Sequence, residues 1–317
     1  MAARTPPSKP TWLAPAGPAQ RFSLRQLETF AEIATLGSIS AAAERLARTQ
    51  SAISMSLAEL ESALGVSLFE RRGRRLVRTD AAERLLPRAI EMVDRAREIH
   101  QLIDPAQGRP ALIALGASRT IGPYVMPGLI RSCHEQLPDF RATITVANSE
   151  DLLRQISHFA LDVAFIEGDV LDPALHRQAW LHDQLCLFAR QDHPIFDKRG
   201  RISRNLADWH WVLREPGSGT REIFLRAAAR YLDFAPRVAL EVNDAETQKR
   251  LLQNSDWLAC MSRRVVAADP AAEGLRLIEV PRAISQALTR RFWIVRHPDR
   301  FFSQAMAAIT ATALDFG

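Results

Sequence analysis

Residues 49–64, TQSAISMSLAELESAL, decide how the N-terminal part of this chain is read. Ile53, Leu57, Leu60 and Leu64 recur at helical spacing and form one apolar stripe, and Thr49 is placed to cap the first turn. At 100° per residue the opposite face carries Ser51, Ser54, Met55 and Ala58. A helix face that serves only solubility carries Lys and Glu. This one is small and uncharged, so another surface can come close to it.

Upstream, Leu24, Leu27, Phe30, Ala31 and Ala34 mark a helix that Gly37 ends. Ser38 or Ser40 caps a second helix over residues 41–47, and Arg48 turns the chain. Three helices so spaced form a helix-turn-helix whose third member fits a DNA major groove; a plain three-helix bundle shares the periodicity. Downstream, the strand-like runs 67–71 and 75–79 flank Gly73 and predict a basic β-hairpin. Beside a helix-turn-helix such a hairpin is a wing, suited to phosphates or a narrow minor groove.

The charge distribution agrees. Residues 1–80 carry 11 Lys/Arg against 7 Asp/Glu, while the other 237 residues carry 30 against 29. Arg71, Arg72, Arg74, Arg75 and Arg78 lie within eight residues, and a compact basic patch on a near-neutral chain suits a polyanion. The length of 317 residues predicts two or three domains of ordinary globular composition. No apolar run reaches the ~18 residues of a membrane span. Three cysteines exclude a disulfide scaffold. Residues 1–21, rich in Pro and Ala and without an apolar core, read as a disordered leader rather than a secretion signal, which predicts a cytoplasmic protein.

The DNA-binding module is expected over residues 22–80 and a linker helix over 81–104, capped by Thr79 and Asp80 with an Asp80–Glu83 capping box. Ala82, Leu86, Ala89, Val93, Ala96, His100 and Ile103 form a heptad-like seam, which predicts pairing with a second copy or, alternatively, packing within the chain. Pro87 is expected to kink this helix. Residues 104–110 read as a hinge.

Residues 105–317 alternate strand and helix and predict an α/β body of largely parallel sheets, in two lobes with a cleft. Three strand-to-helix loops have anion-binding character: Ser118-Arg119-Thr120, Asn148-Ser149, and the run from Arg214 to Arg221 through Ser218, Gly219 and Thr220. Each sets hydroxyls and free N–H groups at a helix start, so a shared site for a small carboxylate or oxyanion is expected. Catalytic signals are poor: no metalloprotease, P-loop or C-x-x-C motif occurs, and Gly217-Ser218-Gly219 lacks one residue of the hydrolase elbow. No cofactor or metal is expected. Cys186 and Cys260 read as core residues. The alternative reading is a cytoplasmic solute-binding protein or an enzyme on this body, with the N-terminal region as an interaction module.

The combination of Leu24-Arg25-Gln26-Leu27-Glu28-Thr29-Phe30, residues 37–46 (GSISAAAERL), Gln50-Ser51-Ala52-Ile53-Ser54 and residues 60–71 (LESALGVSLFER) resembles the LysR-type transcriptional regulators. Residues 216–221 (PGSGTR), His193-Pro194 and residues 162–168 (DVAFIEG) extend the likeness into the body. The resemblance implies a winged helix-turn-helix, a dimerising linker helix, a two-lobed effector domain of periplasmic-binding-protein type, a homotetramer, and control of metabolic genes. It places Ser40, Thr49, Gln50, Ser51, Ser54, Met55, Arg72, Arg74 and Arg75 at double-stranded DNA. It places Ser118, Thr120, Asn148, Ser149, Glu167, Ser218, Gly219, Thr220 and Arg221 at a small anionic effector. Residues 118–127 with Glu167-Gly168 look most like the branch that senses sulfur- or carbon-assimilation metabolites. Met55 stands where the family often has Gln, Ala82 where it usually has Gly, and Asn254-Ser255-Asp256-Trp257 replaces a commonly Gly-rich turn.

Overall fold

The structure, a computed structural model, describes residues 22–72, 75–103, 112–137, 140–168, 172–196, 205–232 and 234–316. The expected leader 1–21, the wing-tip pair Gly73 and Arg74, and the expected hinge 104–110 lie outside these. The chain divides into two units between Ala96 and Arg97.

The first unit begins with α1 (Leu24–Leu36), α2 (Ile39–Arg45) and α3 (Gln50–Leu64). Their ends are set locally. Ser23 and Gln26 form a capping box at α1, and Gly37 and Gly65 end α1 and α3 in the left-handed conformation at φ 64° and 69°. Ser38, not Ser40, caps α2 through Ala41 N–H, so the helix starts two residues earlier than its sequence suggests. Ser38 is extended at φ −150°, the backbone a cap needs, whereas Ser40 is already helical. Phe30, Ile33, Ala42, Ile53 and Leu60 are fully enclosed where the three helices meet. Removing each large side chain from water contributes about 1.5–3 kcal/mol.

Strands β1 (Phe69–Arg72) and β2 (Arg75–Arg78) form an antiparallel hairpin with Phe69 opposite Arg78 and Arg72 opposite Arg75. Helix α4 (Asp80–Ile103) follows and runs unbroken through Pro87. The expected Asp80–Glu83 box does not form. Thr79 takes the cap instead, its hydroxyl accepting from Ala82 N–H at 3.3 Å, and Glu83 pairs with Arg78 at 3.0 Å. Ala82, Leu86, Ala89 and Val93 are buried within the chain itself. That half of the expected dimer seam is therefore an internal face. Among the described residues, the exposed large apolar side chains of α4 are Met92 and Ile99, one heptad apart on another face.

The second unit contains β3 (Leu112–Ser118), α5 (Ile121–Tyr124), α6 (Met126–Gln136), β4 (Arg141–Ala147), α7 (Ser149–Ser157), β5 (Val163–Glu167), β6 (His176–Arg190), β7 (His210–Arg214), α8 (Gly219–Ala227), β8 (Arg237–Val242), α9 (Ala245–Gln253), β9 (Trp257–Ser262), β10 (Leu275–Ile278), α10 (Arg282–Ala287), β11 (Thr289–Arg296) and α11 (Gln304–Asp315). A π-helical turn, Ala228–Leu232, extends α8. Strand order is β4-β3-β5-β11-β6-β9-β7-β8, with β10 on β6.

The lobes are parallel at their outer strands: β3 runs with β4 and β5, and β7 with β8 and β9. The expectation of largely parallel sheets fails at the centre. There β11 is antiparallel to β5 and to β6, and β6 to β9 and β10. The cause is the length of β6. Its 15 residues pair first with β11 and then, from Leu185 onward, with β9 and β10, so one strand serves both lobes. The first lobe packs Leu115, Phe165 and Phe292 against Met306 and Ile309 of α11. The second packs Trp211 against Phe224, with ring centroids 4.7 Å apart, among Leu187, Leu213 and Leu258.

Candidate functional site

On α3 the face opposite the core stripe is open. Gln50, Ser51, Ser54, Met55 and Ala58 are exposed, Met55 at 63%. Ser40 is exposed on α2. The Thr49 hydroxyl caps α3 through Ala52 N–H at 3.2 Å and lies 3.1 Å from Ser51 Oγ, so it is held by its own helix. Side-chain hydrogen bonds brace α3. Gln26 Nε2 donates to Glu59 at 2.8 Å, and Ser56 Oγ to Thr29 Oγ1 at 3.3 Å. Glu61 Oε1 accepts from Leu68 N–H at 2.6 Å, which fixes where the hairpin leaves the helix. Arg72 and Arg75 are the last paired residues of that hairpin; Arg74 and the side chains of Arg72 and Arg75 lie outside the description.

In the second unit, most of the sequence-predicted effector residues come together where the lobes meet, around a buried carboxylate. Glu167, at the carboxyl end of β5, accepts from Ser118 Oγ at 2.9 Å and from Thr220 Oγ1 at 3.3 Å, and pairs with Arg290 Nη1 at 3.2 Å. Ser118 lies in the first lobe and Thr220 in the second, so Glu167 bridges them. Arg290 donates to Thr220 and Thr120 hydroxyls at 2.9 and 3.4 Å and, through Nε, to Asp183 at 2.6 Å. Ser262 Oγ donates to the other Asp183 oxygen at 2.7 Å. Glu167, Asp183 and Arg290 side chains are each at most 3% exposed, so burial of the charges is offset by pairing and by four hydroxyls. Ser149 Oγ is held on the Glu167 carbonyl at 2.9 Å.

The loops before α7 and α8 touch directly. Glu150 N–H donates to Gly217 O at 3.4 Å, and Asn148 Nδ2 to Pro216 O at 3.4 Å. Gly168 and Gly219 approach so closely that a Cβ on Gly219 would sit 2.5 Å from the Glu167 carbonyl oxygen. Arg119 lies 3.5 Å from Glu215, which also pairs with buried Arg214 at 2.9 Å. Tyr124 packs beside the second lobe's Phe188 and Met261, and burial raises its phenol pKa. Two polar atoms here are buried without a hydrogen-bond partner among the described residues: Ser218 Oγ and Arg119 Nε.

Arg221 stands apart from this group, donating to the Arg214 carbonyl and to Glu241 at 2.8 and 2.7 Å. Sequence reasoning missed Arg290, Asp183 and the Arg119–Glu215 pair. Burial raises the thiol pKa of Cys133, Cys186 and Cys260, which removes thiolate character from all three. Among the described residues no cluster of three metal-binding side chains occurs, and no helix is long and apolar enough to cross a membrane.

A winged helix-turn-helix with a bare recognition face, joined in one chain to a two-lobed α/β ligand domain, defines a DNA-binding transcriptional regulator. The chain belongs to the LysR family of these regulators. Residues 24–83 match the model of the bacterial regulatory helix-turn-helix protein, lysR family, and residues 106–316 that of the LysR substrate binding domain. The chain is 36% identical over 288 residues to the uncharacterized HTH-type transcriptional regulator YeiE of Escherichia coli K12, covering 90% of this chain and 94% of that one. It is 32% identical over 271 residues to the regulator CbbR of Xanthobacter flavus, covering 83% and 79%. Full-length OxyR of Pseudomonas aeruginosa has the same fold, with a TM-score of 0.69 at 21% identity over 92% of this chain and 94% of that one.

Proposed function

We propose that this regulator is gated by a small anionic metabolite held between the lobes, and that it acts in the cytoplasm on metabolic genes. The observation that carries the effector reading is the Ser218 hydroxyl, buried to 1% exposure at the start of α8 with no hydrogen-bond partner among the described residues. A buried hydroxyl left unpaired costs about 1–3 kcal/mol, which a ligand oxygen recovers. The N-termini of α7 and α8 favour negative charge in the same place. Ser118, Thr120, Asn148, Ser149, Gly219 and Thr220 shape the site, with Glu167 as its fixed anchor.

DNA contact falls to Ser40, Thr49, Gln50, Ser51, Ser54 and Met55 on the open helix face, with Arg72, Arg74 and Arg75 of the wing on phosphates. The subunits pair through α4 and assemble further to a tetramer. Since Ala82 to Val93 is an internal face, the pairing surface is the one that carries Met92 and Ile99. Because ligand binding changes lobe closure, DNA affinity and effector affinity are linked. Thermal-shift screening of the full chain with small acids and oxyanions tests the reading. A ligand of the site raises the melting temperature, and Ser218→Ala abolishes that rise. No stabilisation by any such anion, or equal stabilisation of the variant, rejects it.

A further inference from the structure

We infer that the Glu167 carboxylate is a tethered anion, a ligand built into the chain: it takes hydroxyls of both lobes that a free anion would take, so that the chain itself sets how the lobes are held and an effector adds to this through Ser218. The inference rests on reading the inter-lobe site as one for a small anion.

A hydroxyl has one hydrogen to donate. Ser118 gives its hydrogen to Glu167 Oε2 at 2.9 Å, and Thr220 gives its own to Oε1 at 3.3 Å. Ser149 donates to the Glu167 carbonyl at 2.9 Å and accepts from the Glu167 N–H at 3.4 Å. Three of the hydroxyls expected at an effector are thus spent on one residue. Ser118 Oγ and Thr220 Oγ1 also accept, from Ile121 N–H at 3.2 Å and from Arg290 Nη1 at 2.9 Å, which orients both hydrogens toward the carboxylate.

The backbone places Glu167 for this role. It is the last residue of β5, and Gly168 turns the chain at φ 94° directly after it. A Cβ on Gly219 would lie 3.1 Å from Glu167 Cγ, so the side chain passes closely over the start of α8. The positive end of the α8 macrodipole therefore meets a carboxylate supplied by the first lobe. The counter-charge is Arg290 at 3.2 Å. Ser218, whose hydroxyl has no hydrogen-bond partner among the described residues, is not engaged by Glu167.

Removing the carboxylate hands its place to a soluble one. Glu167→Ala deletes a CH2–COO⁻ group, and acetate is that group with one more hydrogen. The same substitution frees Arg290 Nη1 and the Ser118 and Thr220 hydroxyls to hold it.

The test is thermal melting of the full chain in sodium acetate against sodium chloride at equal ionic strength. The proteins are the unaltered chain, Glu167→Ala, Glu167→Gln and Glu167→Ala/Ser218→Ala. In chloride Glu167→Ala should melt on the order of 10 °C below the unaltered chain. Acetate should recover most of that loss with saturation, and should do so in Glu167→Ala/Ser218→Ala as well. Glu167→Gln fills the space and should gain no more from acetate than the unaltered chain does. Three results overturn the inference: no extra gain in Glu167→Ala, an equal gain in Glu167→Gln, or a gain that disappears with Ser218. If Glu167→Ala does not fold even in acetate, Ser118→Ala/Thr220→Val decides. It removes the two donors and keeps the carboxylate, so its radius of gyration by scattering should grow and acetate should not reverse this; an unchanged radius overturns the inference. An unaltered chain that no anion stabilises rejects the effector reading and leaves the acetate rescue of Glu167→Ala standing, so the two fail separately.

Discussion

Glu167 and Arg290 face each other at 3.2 Å with side chains 3% and 1% exposed, and each reaches a hydroxyl from both lobes. Arg290→Ala would leave two buried carboxylates, Glu167 and Asp183, without their main counter-charge. Removing one partner of such a pair costs about 3–5 kcal/mol. Denaturant unfolding of the effector unit should show a loss of that size, whereas Arg291→Ala, one residue on and exposed, should stay within about 0.5 kcal/mol.

Gly219 and Gly168 set how near the lobes can come. A methyl group on Gly219 meets backbone, the Glu167 carbonyl oxygen at 2.5 Å and its carbon at 2.9 Å, and backbone cannot rotate aside as a side chain can. Gly219→Ala should hold the two loops apart, seen in scattering as a larger radius of gyration and in melting as a lower midpoint. Gly274→Ala tests a different cost. Its Cβ would meet open space at φ 66°, so it should lower stability by backbone strain alone, without enlarging the particle.

His176, His193 and His297 have pKa values lowered chiefly by burial. Each takes up its proton at a lower pH in the folded chain than in the unfolded chain, where uptake falls near pH 6.5. The unfolded state therefore binds more protons just below that pH, and stability falls as pH drops through 6.5 toward the lowered values. Melting midpoints at pH 7.5, 6.5 and 5.5 should decline in that order. His193 Nδ1 accepts from Ile195 N–H at 3.0 Å. His193→Asn keeps an acceptor there but cannot titrate, so its decline should be shallower.

How much of this was legible in the sequence depends on the distance between the residues involved. Helices α1 and α3 were read to the residue because Gly37, Thr49 and a one-sided apolar stripe are local signals. The first half of β6 was not, because His176, Arg177, Gln178 and Asp183 show little apolar alternation. That half is a strand because β11 pairs with it more than a hundred residues later. The first half of the seam on α4, Ala82 to Val93, is buried within the chain, the alternative to pairing with a second copy, since periodicity marks a buried face without saying what buries it. Ser118, Glu167 and Thr220 were found from their loops, yet the arginine that joins them was missed. A signal existed: Leu288, Arg290, Phe292 and Ile294 share one strand parity, which puts Arg290 on the inward face.

The DNA contacts separate by salt and by sequence. Each phosphate neutralised contributes about 0.9 to the slope of log affinity against log salt, so Arg74→Ala/Arg75→Ala should lower that slope by up to about 1.8 and weaken all duplexes alike. Met55 is exposed at 63% on the open face of α3 and offers a base only apolar contact, such as a thymine methyl. Met55→Gln adds a side chain that bonds adenine at two points, worth about 1–3 kcal/mol of discrimination. That variant should keep the salt slope and shift preference toward adenine at one position of each half-site, as read by selection from a randomised duplex pool. If instead Met55→Gln flattens the salt slope, or the wing variant changes base preference, the assignment of helix to bases and hairpin to phosphates is wrong.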